Sequence, residues 1–278
     1  MQVALIPPVE ELERFRKSSD MHLALNHLMD NGTYAEFMRG CGERGEWITL
    51  DNSAHEFQSG DRIEKLLLNA IRIKAREIVI PDVLFHAMFT VQAGRSAIRY
   101  LADSELFRAC SPTPRLMVVP QGRDVDDWAW CLQRLVEEVV DWGFGGLLSI
   151  GLSKDYAKHP GFPGGLPFLI HKYLEPLCIH HNVKTHLLGW PCTWELIGLA
   201  RQFPCLRSTD SAKPFIYALA GIELTHNHNP IYKSRPEDYF DSHLRGSLDL
   251  ASRNVAAFKL ASRGIRQRDD EEALVTGA

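Results

Sequence analysis

Eight short apolar runs rich in β-formers punctuate the chain, and stretches with helical spacing lie between them. The runs are VALIP from Val3, HLAL from His22, WITL from Trp47, EIVI from Glu77, RLMVV from Arg115, GLLSI from Gly146, THLLG from Thr185 and CLRST from Cys205. Amphipathic stretches such as DRIEKLLLNAIRIKA from Asp61 and DVDDWAWCLQRLVEEVVDWG from Asp124 separate them. Strands alternating with helices argue for parallel βα units. Eight such units predict an α/β fold, a (β/α)8 TIM-like barrel, with a doubly wound open sheet as the alternative. The second run, read on as HLALNHLM, is equally compatible with a helix. No repeat or low-complexity linker interrupts the pattern. A single domain is expected over 1–278: the barrel to about residue 225, a helical C-terminal extension over about 226–268, and a frayed tail, DDEEALVTGA, from Asp269.

The 278 residues carry a net charge of −4, so no global basic signature marks a nucleic-acid partner, although a local patch suffices for one. The Met-Gln-Val start lacks a basic segment followed by an apolar one, which predicts no signal peptide. No apolar run reaches the ~20 residues of a membrane helix. Six scattered cysteines without a CxxC pair fit reduced thiols in a soluble intracellular protein.

Certain residue types recur just after the predicted strands. Asp51 follows WITL, and Asp82 follows EIVIP. Gln121 and Gly122 follow RLMVVP, and Gly151, Leu152 and Ser153 follow GLLSI. Gly189 follows THLL, and Asp210 follows CLRST. In a parallel barrel these positions share the carboxyl-terminal face, where barrel enzymes hold their active sites. Each Asp also has a structural reading. Taken alone, Asp210 in RSTDSAKPF reads first as a helix N-cap or turn former ahead of a Pro-started helix. Three carboxylates and a carboxamide at consecutive strand ends favour one convergent site. Two carboxylates can divide labour as nucleophile and general acid/base. A carboxylate also accepts paired N–H bonds from a guanine-like edge, Gln suits a base carbonyl, and a strand-end glycine admits a flat ligand.

On these motifs the chain resembles the tRNA-guanine transglycosylase superfamily, and within it the DNA 7-deazaguanine transglycosylases of phages and bacteria. The resemblance runs from about Trp47 to Phe258. LDNSAHE is similar to the family's Asp-Ser-Gly-Gly-aromatic-Gln segment, IPDVL to its base-recognition turn, and VVPQG to its Val-Gln-Gly segment. THLLGWP is similar to its Leu-Met-Gly loop, and RSTDSAKPF to the segment carrying its nucleophile. The resemblance implies that Asp210 attacks the sugar C1′ and that Asp51 is the general base. It implies that Asp82, Gln121 and the backbone around Gly122, Gly151 and Leu152 recognise the base, with Asn52 and Gly189 in the same set. His55 falls where the family stacks an aromatic on the base, and Leu188 where it presents a Met. It further implies a cytoplasmic enzyme of a bacterial or phage-infected cell that needs no cofactor or metal.

The chain departs from the family in places. LDNSAHE lacks the glycine pair, Pro191 stands where a glycine is usual, and the cysteine cluster of the tRNA enzymes' zinc site is absent. Arg253, in the ASRNVAAF segment, lies near the position of that site's His. His226 and His228 form a His-x-His pair without an evident further ligand, which reads as a polar loop, and His180 and His181 read as surface. His55-Glu56 is not HExxH.

The leading expectation is exchange of guanine in a polynucleotide for a 7-deazaguanine base, with DNA preferred over tRNA because the chain is short, the family's zinc module is missing, and LDNSAHE is more similar to the DNA branch than to the tRNA branch. A duplex target must leave the stack to reach Asp210. Lys233–Arg268 holds eight Lys/Arg against four Asp/Glu and is the expected docking region, with Arg245, Arg253 and Arg263 as phosphate contacts. The alternatives are a tRNA enzyme, a non-catalytic paralogue acting as a binding subunit, and an unrelated barrel hydrolase with a metal held by Asp and His. The presence of both Asp51 and Asp210 argues against the paralogue.

Overall fold

The computed structural model describes residues 1–190, 193–225 and 233–265. Its elements run β1 (Gln2–Leu5), α1 (Leu12–Phe15), β2 (His22–Leu25), α2 (Gly32–Glu43), β3 (Ile48–Asp51), α3 (Ala54–Phe57) and α4 (Ile63–Ile73). Then come β4 (Glu77–Val79), α5 (Ala87–Asp103), α6 (Glu105–Arg108), β5 (Arg115–Val118), α7 (Val125–Asp141) and β6 (Leu148–Ser153). The chain continues through α8 (Gly165–Leu169), α9 (Glu175–His181), β7 (Lys184–Leu188), α10 (Thr193–Gln202), β8 (Leu206–Ser211), α11 (Lys213–Leu219) and α12 (Leu248–Ser262).

The strands form one parallel sheet in the order β1-β8-β7-β6-β5-β4-β3-β2, the strand order of a (β/α)8 TIM-like barrel. All eight expected strands are present. HLAL is strand, not helix, and all four of its residues are buried, as parallel strands covered on both faces require. Register sets Leu25 beside Asp51 and Ala4 beside Asp210. One expectation needs correction. Gly151 and Leu152 do not follow β6 but lie inside it, because the chain stays extended through Ser153 and packs Leu152 completely. The strand stops at Ser153, whose side chain accepts the Asp155 N–H at 3.2 Å and starts the next turn.

The chain divides into two compact units, Met1–Asp20 with Leu187–Ala278, and Met21–His186. In the second, α4 buries Ile63, Leu66, Leu67, Ala70 and Ile73 while Leu68 and Ile71 stay exposed. This is the i, i+3, i+4, i+7 stripe that the sequence shows. Helix α7 is capped by Asp124, which accepts the Asp127 N–H at 2.9 Å, and buries Trp128, Cys131, Leu132, Leu135 and Val139. In the first unit, Phe15 packs edge-on against Phe215, ring centres 4.9 Å apart. The expected C-terminal helix exists as α12. Its fully buried Asn254 donates to the Pro214 and Ile222 carbonyls at 3.0 Å each and accepts the Leu224 N–H at 2.7 Å. One amide thus ties α11, the segment after it and α12 together. Residues 226–232 of the expected extension and the tail from Asp269 lie outside the described residues. Among the described residues no helix is long and apolar enough to cross a membrane.

Candidate active site

In the Met21–His186 unit, Asp51 is the last residue of β3, and its Oδ2 accepts the Ser53 N–H at 2.8 Å. That Asx-type bond turns the chain sharply, and Ser53 takes a left-handed φ of 61°. Asn52 is buried by the turn. Its Oδ1 accepts the Ala54 N–H at 2.8 Å, and its Nδ2 donates to the Ile80 carbonyl at 2.8 Å and to Asp82 Oδ1 at 2.7 Å. Asp82, three residues beyond β4, is 3% exposed. Its other oxygen accepts Gln121 Nε2 at 2.6 Å. Three strand-end segments therefore meet at one carboxyl group. Burial pushes Asp82 up to about 6, against the pull of the Asn52 and Gln121 hydrogen bonds.

The orientation of Gln121 is fixed from behind. Its Oε1 accepts the Tyr156 hydroxyl at 2.6 Å and the Phe85 N–H at 3.1 Å, so its amide nitrogen must face Asp82. Tyr156 in turn accepts the Gly122 N–H at 3.2 Å. Phe85 holds a left-handed φ of 60° and stacks on His159, ring centres 5.4 Å apart. Such a φ is uncommon for a bulky residue. It is what turns the Phe85 N–H to Gln121. The strand-end reading missed Tyr156 and Phe85 because both lie in the loops beyond. A buried glutamine needs partners on both ends of its amide, and that requirement is the signal that points to them.

Gly122 is buried for packing: a Cβ there would strike the backbone of Asp127 and Trp128. His55 is exposed on α3. Gly151 and Leu152 are buried within β6.

In the other unit, Asp210 sits inside β8 and is 3% exposed. It is not a helix cap. The residue preceding α11 is Ala212, and Ser211 Oγ accepts the N–H of Lys213, the first helical residue, at 3.1 Å. Asp210 Oδ1 instead accepts the Gly189 N–H at 2.8 Å, and its carbonyl accepts the Trp190 N–H at 3.0 Å. Gly189 follows β7 with a φ of 67°, and Leu188 ends that strand half-buried. Asp210 and Gly189 are thus brought together by the turn after β7. Arg245, Arg253 and Arg263 are all exposed, and Arg253 pairs with Glu223 at 2.9 Å. His226 and His228 lie outside the described residues.

Among the described residues no three-donor metal cluster forms from Asp51, Asp82 and Asp210. No protein-family model matches the chain, and no curated protein matches it.

Proposed function

We propose that the chain is a base-exchange transglycosylase that replaces guanine in DNA with a 7-deazaguanine base through a covalent Asp210 glycosyl ester. The observation that carries the reading is the polarity of the buried Asn52–Asp82–Gln121 group. With both acceptor positions of Gln121 Oε1 filled and one Nε2–H given to Asp82, the amide offers a ligand one N–H donor. The ionised carboxyl of Asp82 beside it offers acceptor capacity. A donor next to an acceptor complements a carbonyl next to an N–H, the O6/N1 edge of guanine and its 7-deaza relatives.

In the proposed reaction an Asp210 oxygen attacks C1′ of the target nucleotide, the C1′–N9 bond breaks, and protonated Asp51 gives its proton to N9 of the leaving guanine. The incoming deazaguanine then gives its N9 proton to Asp51 and attacks C1′. The ester bond breaks, and the Asp210 carboxylate is regenerated. Both acids stand at the carboxyl-terminal ends of strands in one parallel sheet, the side barrel enzymes use for chemistry. Asp210 is no helix cap, and of the structural readings of an acid there the one that stands is its bond to the Gly189 N–H in the turn after β7.

The test is mass spectrometry of nucleosides from DNA and from tRNA after incubation with candidate 7-deazaguanines. Exchange into DNA is the expected outcome. Exchange into tRNA alone would reassign the polynucleotide, and no exchange into either would reject the reading. Asp210→Asn is expected to fold, bind base and lose exchange by several orders of magnitude, with no covalent adduct to DNA on a denaturing gel. Near wild-type exchange in that variant would remove Asp210 as nucleophile.

A further inference from the structure

A second cluster of reactive side chains lies at the opposite ends of the strands of the Met21–His186 unit. His22 is the first residue of β2, Cys41 lies in the last turn of α2, and Glu46 sits on the loop between α2 and β3. One ligand atom from each lies within 4.8 Å of the other two. His22 and Cys41 are buried, and Glu46 is partly covered. We propose that His22, Cys41 and Glu46 form a binding site for a borderline-soft divalent cation of the zinc type. The inference stands independently of the transglycosylase reading.

The donor set is one imidazole nitrogen, one thiol sulfur and one carboxylate oxygen. That mixture suits zinc or cobalt better than the hard oxygen-seeking cations, and three protein ligands leave a fourth position for water. The geometry is near what the ion requires. His22 Nε2 and Glu46 Oε2 are 2.6 Å apart. Two ligand atoms on a tetrahedral zinc stand about 3.3 Å from each other at ordinary bond lengths, so Glu46 need withdraw by less than about 1 Å. The His22 ring is held for the purpose. Its backbone N–H bonds the Trp47 carbonyl at 2.8 Å, and the Phe37 ring packs edge-on against it at 5.9 Å.

A positive charge already lies against two of the three donor residues. Arg44 donates to Cys41 Sγ at 3.1 Å and to Glu46 Oε1 at 2.7 Å. Its side chain is 43% exposed, so it can swing into solvent when an ion takes its position. The guanidinium thus competes with a metal ion for Cys41 and Glu46. Because the ligands come from the start of β2, the end of α2 and the loop beyond, a bound ion would clamp α2 to the sheet. Asp51 and Asp82 lie at the other ends of β3 and β4, so the ion would take no part in chemistry at those acids.

The test uses the full chain, stripped of metal with a chelator and titrated with cobalt(II). One equivalent is expected to bind and to give the near-ultraviolet thiolate-to-cobalt absorption band, which zinc then abolishes by displacement. Cys41→Ser should lose the band and His22→Ala should weaken binding at least tenfold, while Arg44→Ala should tighten it by removing the competing cation. Zinc should also raise the thermal midpoint of the wild type but not of Cys41→Ser. Absence of the band in folded wild-type protein, or its persistence in Cys41→Ser, would overturn the site. Circular dichroism reports whether Cys41→Ser folds; if it does not, weaker or unchanged cobalt binding in Arg44→Ala would overturn the proposal on its own.

Discussion

At the residue scale the decisive group is Asp82, a carboxyl buried among amides. Its folded-state value of about 6 lies above the ordinary 3.8 because burial penalises the charge. An acid raised on folding makes the native state most favoured below about pH 4, and that advantage is lost as pH climbs through about 6. The ionised form therefore costs on the order of 2–3 kcal/mol at neutral pH, a cost consistent with a role for the charge. Base affinity measured by calorimetry should fall as pH drops through about 6, where Asp82 gains its proton and ceases to be a pure acceptor. Asp82→Asn should bind base weakly at every pH and lack this profile, and in chemical denaturation it should lack the stability slope between pH 4 and 6. An unchanged profile in the variant would assign the titration elsewhere. Tyr156 is the second residue to test. Tyr156→Phe removes the hydroxyl that holds Gln121 Oε1, a loss of about 1 kcal/mol for a buried hydrogen bond. The amide is then freer to flip, so KM for base is expected to rise about tenfold with kcat little changed.

At the element scale, the loops after the strands carry the proposed recognition groups, and close packing holds those loops. The β5 loop places Gln121 because Gly122 lets it press against the first turn of α7. Gly122→Ala should push the loop off Trp128 and Asp127, costing roughly 1–3 kcal/mol by overpacking. Thermal unfolding would read that cost, and base affinity should fall with it even though residue 122 offers a ligand no side chain. Stability unchanged from the wild type would show that the loop has room to move. The turn after β7 works by another device. Gly189 adopts a left-handed backbone, and Asp210 of the neighbouring strand accepts its N–H. The proposed nucleophile is thereby held by one of its own oxygens.

At the scale of the whole molecule, the question is how a chain of net charge −4 would hold a polyanion. Its basic side chains must act locally. Arg245 and Arg263 are exposed, while Arg253 is engaged with Glu223 on the surface, a pair worth little in either direction. Affinity for DNA is expected to fall linearly on a log–log plot against salt. Charge reversal at Arg245, Arg253 and Arg263 together should weaken DNA binding and flatten that slope, with free-base binding untouched. Fluorescence anisotropy across a salt series checks this, and an unchanged slope would remove this region as the docking surface.

The fold was legible in the sequence because its signal is local and repeated. Eight β-rich runs with helical spacing between them allow few arrangements, and the strands form where those runs lie. The strand-end positions of Asp51, Asp82 and Gln121 were legible for the same reason: each is read from its place at the end of a strand or a few residues beyond one. What the sequence left open depended on contacts between distant segments. RSTDSAKPF alone favours a cap at Asp210. Only the folded chain shows β8 running one residue past it, with Ser211 taking the helical N–H and Asp210 turned to Gly189. The extension of β6 over Gly151 and Leu152 was likewise decided by burial, which no local pattern encodes. Tyr156 and Phe85 joined the Asp82 group because a buried amide must satisfy both its ends, and their distance from Gln121 along the chain hid them. The cluster of His22, Cys41 and Glu46 spans a strand, a helix and a loop, so its donors lie too far apart in sequence to form a motif. Periodicity fixes elements; the pairing of buried polar groups is settled only when packing brings them within 3 Å and excludes water.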